Sequence, residues 1–396
     1  MKKLLIITLL FISYGCEKDE TTGPTSTEIT NFDISHIDTE STGASGSSQP
    51  EIIRFVSATT GVFVDSKRNE IRFVTISESD ISLSGEEISL TDDPDAESSS
   101  IDVSDDESII AVVTTKGACS KGELYLLDAA TKTKNGPFEL GFNPDAIDIS
   151  TDNKFVVVAN EFDYADGLDG GCESLGLPSV TVYDISGGIS SAKMVKDIKL
   201  SHMGANGNLP EPEGLKIAPD KTVYVTLQES SEIGYFSLSS IPDTLSGIIP
   251  LADGHRPDGI YVSIDGSWAM TAGEYDGNLG MVDLSTKSSQ NPTIYYHQIG
   301  DDLPSTYNFS MESKGLEPEE CYLVEKEDKW FGILTLQDPG AVVVYDITDP
   351  AKPVYDSSFV TDESGEAEGL SYRDGYVLVS NTEAPSISLL KASWID

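Results

Sequence analysis

A three-strand pattern that recurs along most of the chain constrains this sequence more than any other feature. Its clearest copy spans residues 212–236. Pro212-Glu213-Gly214-Leu215-Lys216-Ile217 reads as a turn running into a short strand, and Ala218 to Lys221 as a polar turn. Thr222 to Leu227 reads as a second strand, closed by the carboxylate of Glu229, and a third strand runs to Phe236. Aligning the chain on this copy gives seven units. The first, from Ile52 to Leu90, is divergent; the others start near Ala96, Pro144, Pro212, Pro257, Pro318 and Ala367. Each unit also carries a weaker fourth apolar run, for example 196–200 or 354–361. One such unit cannot bury both its faces or pair its edges. Four-stranded units packed radially around an axis do both, so the repeat predicts an all-β fold, a seven-bladed β-propeller over residues 51–396. Repeat-built folds of this kind accommodate 396 residues in one domain.

The net charge is −42, from 67 acidic and 25 basic residues. A field of that sign repels nucleic acid and anionic lipid headgroups and attracts cations and basic peptides. Solubility at an exposed surface accounts for much of it. No nucleic-acid partner is expected, and the chain is expected to be a monomer.

The N-terminus reads as a targeting segment. Lys2 and Lys3 precede a short apolar run, Leu4 to Ile12, which is too short to span a bilayer. Gly15 directly before Cys16 resembles a bacterial lipobox, with Tyr14 an imperfect fit. On that resemblance residues 1–15 are a signal peptide and Cys16 is lipidated, so acyl chains hold the protein on a membrane. The acidic Glu17-Lys18-Asp19-Glu20 resembles the export signal of surface lipoproteins, which implies an outer-membrane, cell-surface location. An ordinary secretory signal with a chance cysteine is the alternative. Residues 16–50, rich in Thr, Ser, Gly and Glu, are expected to be a flexible tether whose end pairs with the last strand.

Export permits disulfides. Cys119 and Cys172 both follow second-strand ends in neighbouring units, so they are expected to pair. Cys321 lies in an apolar strand and is expected to be a buried thiol.

Three segments carry a resemblance to a known family. They are Asn143-Pro144-Asp145 through Glu161 with Val180 to Asp184, Pro212 through Glu229, and Ser313 through Glu319 with Gly340 to Pro353 and Glu366 to Leu370. Together they make the chain similar to the choice-of-anchor I domain, a propeller kin to the YVTN-type surface repeats. The resemblance implies a cell-surface propeller. One departure is Glu320-Cys321, where the pattern has Gly and an aliphatic residue.

Two sets of carboxylates recur at matching places. Asp145, Glu213, Asp258, Glu319 and Glu368 precede the first strand of their units, and Glu161, Glu229, Glu274, Asp338 and Glu383 close the second. In a propeller these loops open on one face, so up to ten carboxylates are expected around one channel mouth. Such a ring raises its own pKa values unless a cation relieves it, and calcium tolerates irregular oxygen coordination. His255 and Arg256, just before Asp258, are expected at the same rim, as is Lys314. Turn chemistry alone explains the first set, since Pro-Asp/Glu-Gly makes a β-turn; it explains the second set less well. The insertion 162–178, with Asp163, Asp166, Asp169 and Glu173, and the loops 201–210 and 300–316 are expected on this face. The four histidines do not cluster, and no Gly-x-Ser-x-Gly, HExxH or P-loop motif occurs. The tryptophans Trp268, Trp330 and Trp394 read as core between blades rather than as a carbohydrate platform. The expected function is therefore a surface protein that binds or scaffolds an unidentified ligand, with an acidic mouth for a divalent cation. A calcium-dependent, phytase-like phosphoesterase is the alternative, and it requires Lys or Arg beside the carboxylates.

Overall fold

The computed structural model describes residues 31–117, 120–162, 176–307, 315–362 and 366–395. Seven four-stranded antiparallel sheets form a ring of seven blades. The blades begin at Pro50, Glu97, Pro144, Pro212, Pro257, Pro318 and Ala367, and the first six run outward from an inner strand in chain order. The weak fourth runs are outer strands, Lys193–Lys199 and Val354–Val360 among them. Five three-residue 3-10 turns are the only helical elements among the described residues.

Strand periodicity explains why the ring holds together. Val157 and Ala159 of the strand Phe155–Asn160 face the next blade, whereas Val156 and Val158 face the preceding one. Each sheet is thus apolar on both faces, and seven apolar clusters fill the seven gaps between blades. Cys321 contributes to one of them as a buried free thiol, as expected, and its Sγ–H donates to the Met270 carbonyl.

The end of the tether pairs with the last strand, as expected, and it does so as a regular strand. Asn31–Ser41 is a strand that pairs antiparallel with Ser386–Ile395 and becomes the outer strand of the seventh blade. The sequence favours this because Phe32 and Ile34 alternate with polar residues, and both insert into the gap between blades six and seven. Phe32 lies against Phe331 and Trp394 at centroid separations of 5.2 and 4.5 Å. The last blade is therefore built from both ends of the described chain. Residues 1–30, including Cys16, and both Cys119 and Cys172 lie outside the described residues.

The channel is shaped by a feature common to all inner strands. Each starts opposite the last residues of the second strand, then shifts register within its first few residues. Such a bulge bends the strand and re-aims a side chain. Proline opens five of the seven inner strands, a position that donates no ladder hydrogen bond. Below the bulge the strands approach closely. A Cβ on Gly214 would lie 2.4 Å from the Asp258 carbonyl oxygen, and one on Gly259 2.3 Å from that of Glu319.

Candidate functional site

One residue near the start of each inner strand, the second in six blades and the third in blade two, lines one mouth of the channel. In order around the ring these are Glu51, Ser99, Asp145, Glu213, Asp258, Glu319 and Glu368. Six carboxylates therefore surround a cavity of about 580 Å³. Five were expected. Glu51 was missed because the first unit was started at Ile52, although Pro50-Glu51 repeats the dipeptide of Pro212-Glu213 and Pro318-Glu319. The second blade breaks the ring with Ser99, whose hydroxyl donates to the Pro144 carbonyl at 2.7 Å.

Burial pushes all six carboxyls up, and repulsion from neighbouring carboxylates adds to it. Glu51 is raised to about 8, by burial first and by Glu368 and Asp145 next, against a hydrogen bond from Ser66. Glu213 is raised by burial and then by Glu161 and Asp145, and Glu319 by burial and then by Asp258 and Glu368. Asp145 with Glu213, and Asp258 with Glu319, lie within hydrogen-bond reach, so each pair can share a proton.

The second carboxylate set is not one ring. The residues directly after the second strands are Glu161, Gln228, Glu274, Gln337 and Thr382, and only two of these are acids. Glu161 stands closest to the first set: oxygens of Asp145, Glu161 and Glu213 lie within 4.8 Å of one another. Its Oε2 also accepts from Asn143 Nδ2 at 2.6 Å. Gln228 donates to Glu274 at 2.6 Å, and Gln337 to Glu368 at 2.7 Å. Glu229, Asp338 and Glu383 lie one residue further on, which changes where they point. Glu229 is buried under the loop 201–210, held by Asn208 at 3.0 Å and by Arg256 at 2.8 Å. Asp338 and Glu383 are exposed, a correction to their expected place in the ring.

Of the two expected rim residues, Arg256 pairs with Glu229 and stacks over Tyr275 at 4.3 Å. His255 is fully buried, a second correction. It sits inside blade five, with Nδ1 3.1 Å from Asp276 and Nε2 2.9 Å from the Thr271 hydroxyl. Strand and turn both contribute partners there, so the imidazole is drawn into the blade. Lys314 and the acids of the insertion, Asp163, Asp166, Asp169 and Glu173, lie outside the described residues.

Three residues below the ring acids the inner strands face the channel again. Blades one to four supply Arg54, Asp102, Asp148 and Lys216, while blades five and six supply Tyr261 and Tyr322. Glu320, the departure noted in the sequence, occupies the tier between, where other strands carry Ser100, Ala146, Gly214, Gly259 and Gly369. It reaches across the seventh blade to Arg54 in a bidentate pair of 2.5 and 3.0 Å, and accepts from the Leu370 amide. Arg54 also donates to the Ile53 and Leu370 carbonyls. Lys216 donates to Asp148 at 2.8 Å. Among the described residues the cations that line the channel, Arg54, Lys216 and Arg373 (the last with Glu107), are thus all engaged, and the acidic mouth is floored by compensated charge.

The choice-of-anchor I domain model matches residues 51–252. Comparison with curated proteins finds no match. Among solved structures the chain is similar to the virginiamycin B lyase of Staphylococcus aureus in a catalytically inactive form with quinupristin, at 13% identity and a TM-score of 0.61, over 91% of this chain and 99% of that one. It is also similar to Kuenenia stuttgartiensis hydrazine synthase, at 13% identity and a TM-score of 0.65, over 89% and 98%. A Lactobacillus plantarum protein gives 13% identity and a TM-score of 0.64, over 88% and 95%. At these identities the likenesses speak to the propeller fold alone.

Proposed function

The chain belongs to the choice-of-anchor I domain family, a family of surface-associated β-propellers, and from that premise we propose that it is an exported, lipid-anchored binding protein whose acidic mouth holds a divalent cation. The observation that carries this reading is the convergence of Asp145, Glu161 and Glu213 within 4.8 Å, in a ring of six raised carboxyls. Two oxygens on one calcium ion, each about 2.4 Å from it, are at most about twice that distance apart. Six crowded carboxylates repel one another when ionised, and a hard cation relieves that repulsion and offers coordination positions to a ligand. The mouth then recruits a ligand through the ion. The lipid anchor on Cys16 rests on the lipobox resemblance.

The phosphoesterase alternative needs a free cationic side chain beside the ring to grip phosphate. Among the described residues Arg54 and Lys216 are engaged with Glu320 and Asp148, and Arg256 with Glu229, which supports the binding reading.

Calorimetric titration of the chelator-treated protein with calcium tests the proposal. One ion is expected to bind, with a rise in melting temperature, and both effects are expected to weaken in the double variant Glu161→Gln, Glu213→Gln. Absence of a stoichiometric ion together with an unchanged melting temperature overturns it.

A further inference from the structure

The opposite mouth of the channel has a different chemistry, and nothing in the cation reading uses it. The inner strands of blades five, six and seven carry Tyr261, Tyr322 and Tyr372 there, with centroids 4.3 and 5.6 Å apart in a continuous row. Trp330 and Trp394 extend the row outward, and Ile264, 73% exposed on the turn of blade five, forms an apolar lip. Together they line a groove of about 940 Å³, within the size range of small-ligand sites. All five aromatic residues are only half-buried. The sequence reading of Trp330 and Trp394 as plain core therefore accounts for one side of each ring and leaves the groove side unexplained.

Charge decides what can enter. The overall field of −42 disfavours an anionic ligand. Lysines already serve two of the five rings, which leaves less room there for a cationic ligand: Lys216 Nζ lies 5.4 Å from the Tyr261 centroid, and Lys326 Nζ 6.0 Å from that of Trp394. The rim meanwhile offers donors and acceptors side by side, with the exposed turn Glu325-Lys326-Glu327 on one blade and Asp374 on the next. Interleaved donors and acceptors beside aromatic faces suit a neutral molecule with an apolar face and many hydroxyl groups.

We infer that this groove is a second binding site, and that its ligand is a neutral oligosaccharide. The aromatic row stacks on the sugar faces, and the rim carboxylates and Lys326 bond the hydroxyls. The groove opens at the other end of the channel from the ring acids: Tyr261, Tyr322 and Tyr372 line both, but none of the six ring carboxylates lines the groove.

The test uses the folded full-length protein with maltotetraose, cellotetraose and N-acetylchitotetraose as probes, and tetralysine and a heparin tetrasaccharide as charged controls. Saturation-transfer NMR and tryptophan fluorescence are the readouts. At least one neutral probe is expected to bind, about tenfold or more weakly to Tyr322→Ala, and unchanged in chelator and in Glu213→Gln. Insensitivity to the mouth variant separates this site from the cation site. If Tyr322→Ala does not fold, Ile264→Asp on the exposed lip replaces it with the same expected loss. Failure of all three neutral probes, binding of a charged control in their place, or binding that survives both groove variants overturns the inference.

Discussion

At residue 320 the chain puts an acid where no sister strand has a charged residue, and the structure gives it a partner. Glu320 bonds Arg54 through both carboxylate oxygens and caps the Leu370 amide. Replacing it leaves a half-buried guanidinium with two backbone carbonyls and a distant Asp102 at 3.9 Å. Glu320→Ala is expected to cost about 2 kcal/mol, read from denaturant midpoints at unchanged slope. In the sequence Glu320 was visible as a departure, but its partner was not: the two residues are 266 positions apart and meet only when the ring closes. The ring acids were more legible, since each sits at a fixed offset from its strand. Glu51 escaped because its unit is divergent beyond the Pro-Glu pair itself.

Among the elements, blade five shows how a polar residue is absorbed by a sheet. His255 bridges the turn residue Asp276 and the strand residue Thr271, so three segments of one blade are tied by two hydrogen bonds. His255→Ala is expected to lower stability by about 2–3 kcal/mol, since it empties a buried site and removes the hydrogen bonds to Asp276 and Thr271. Thermal melting of the variant, with calcium binding retained, checks this. From sequence, His255 and Arg256 look alike, two basic residues before Asp258. Their fates differ because Arg256 adopts a left-handed conformation, φ 40°, that turns it out to Glu229 while its neighbour turns in. The second acid set failed for a related reason. A strand end is marked to within a residue or two by its pattern, and one residue decides whether a carboxylate meets the mouth, as Glu161 does, or solvent, as Asp338 and Glu383 do.

For the whole molecule, the ring of acids makes stability a function of pH. A carboxyl raised in the folded state binds its proton more tightly folded than unfolded. Between its ordinary pKa near 4.5 and its folded value near 8, Glu51 therefore destabilises the fold as pH rises. In chelator the melting temperature is expected to fall from pH 5 to pH 8, and Glu51→Gln is expected to flatten that slope. Calcium is expected to suppress it as well, and a slope identical with and without the ion contradicts the cation reading. The architecture itself was legible because every unit repeats one period, and the apolar alternation names both faces of each sheet.

The closing strand carries one more consequence. It pairs with Ser386–Ile395 from Asn31 at the aromatic-groove end to Ser41 at the acidic end. A pull on the chain before Asn31, directed away from the acidic mouth, runs along the strand axis. The rungs of that pairing are then loaded together in shear instead of parting one at a time. If the N-terminal residues are what holds this protein in place, the seam that closes the ring is also its mechanical clamp, and the molecule resists drag with its acidic mouth turned outward.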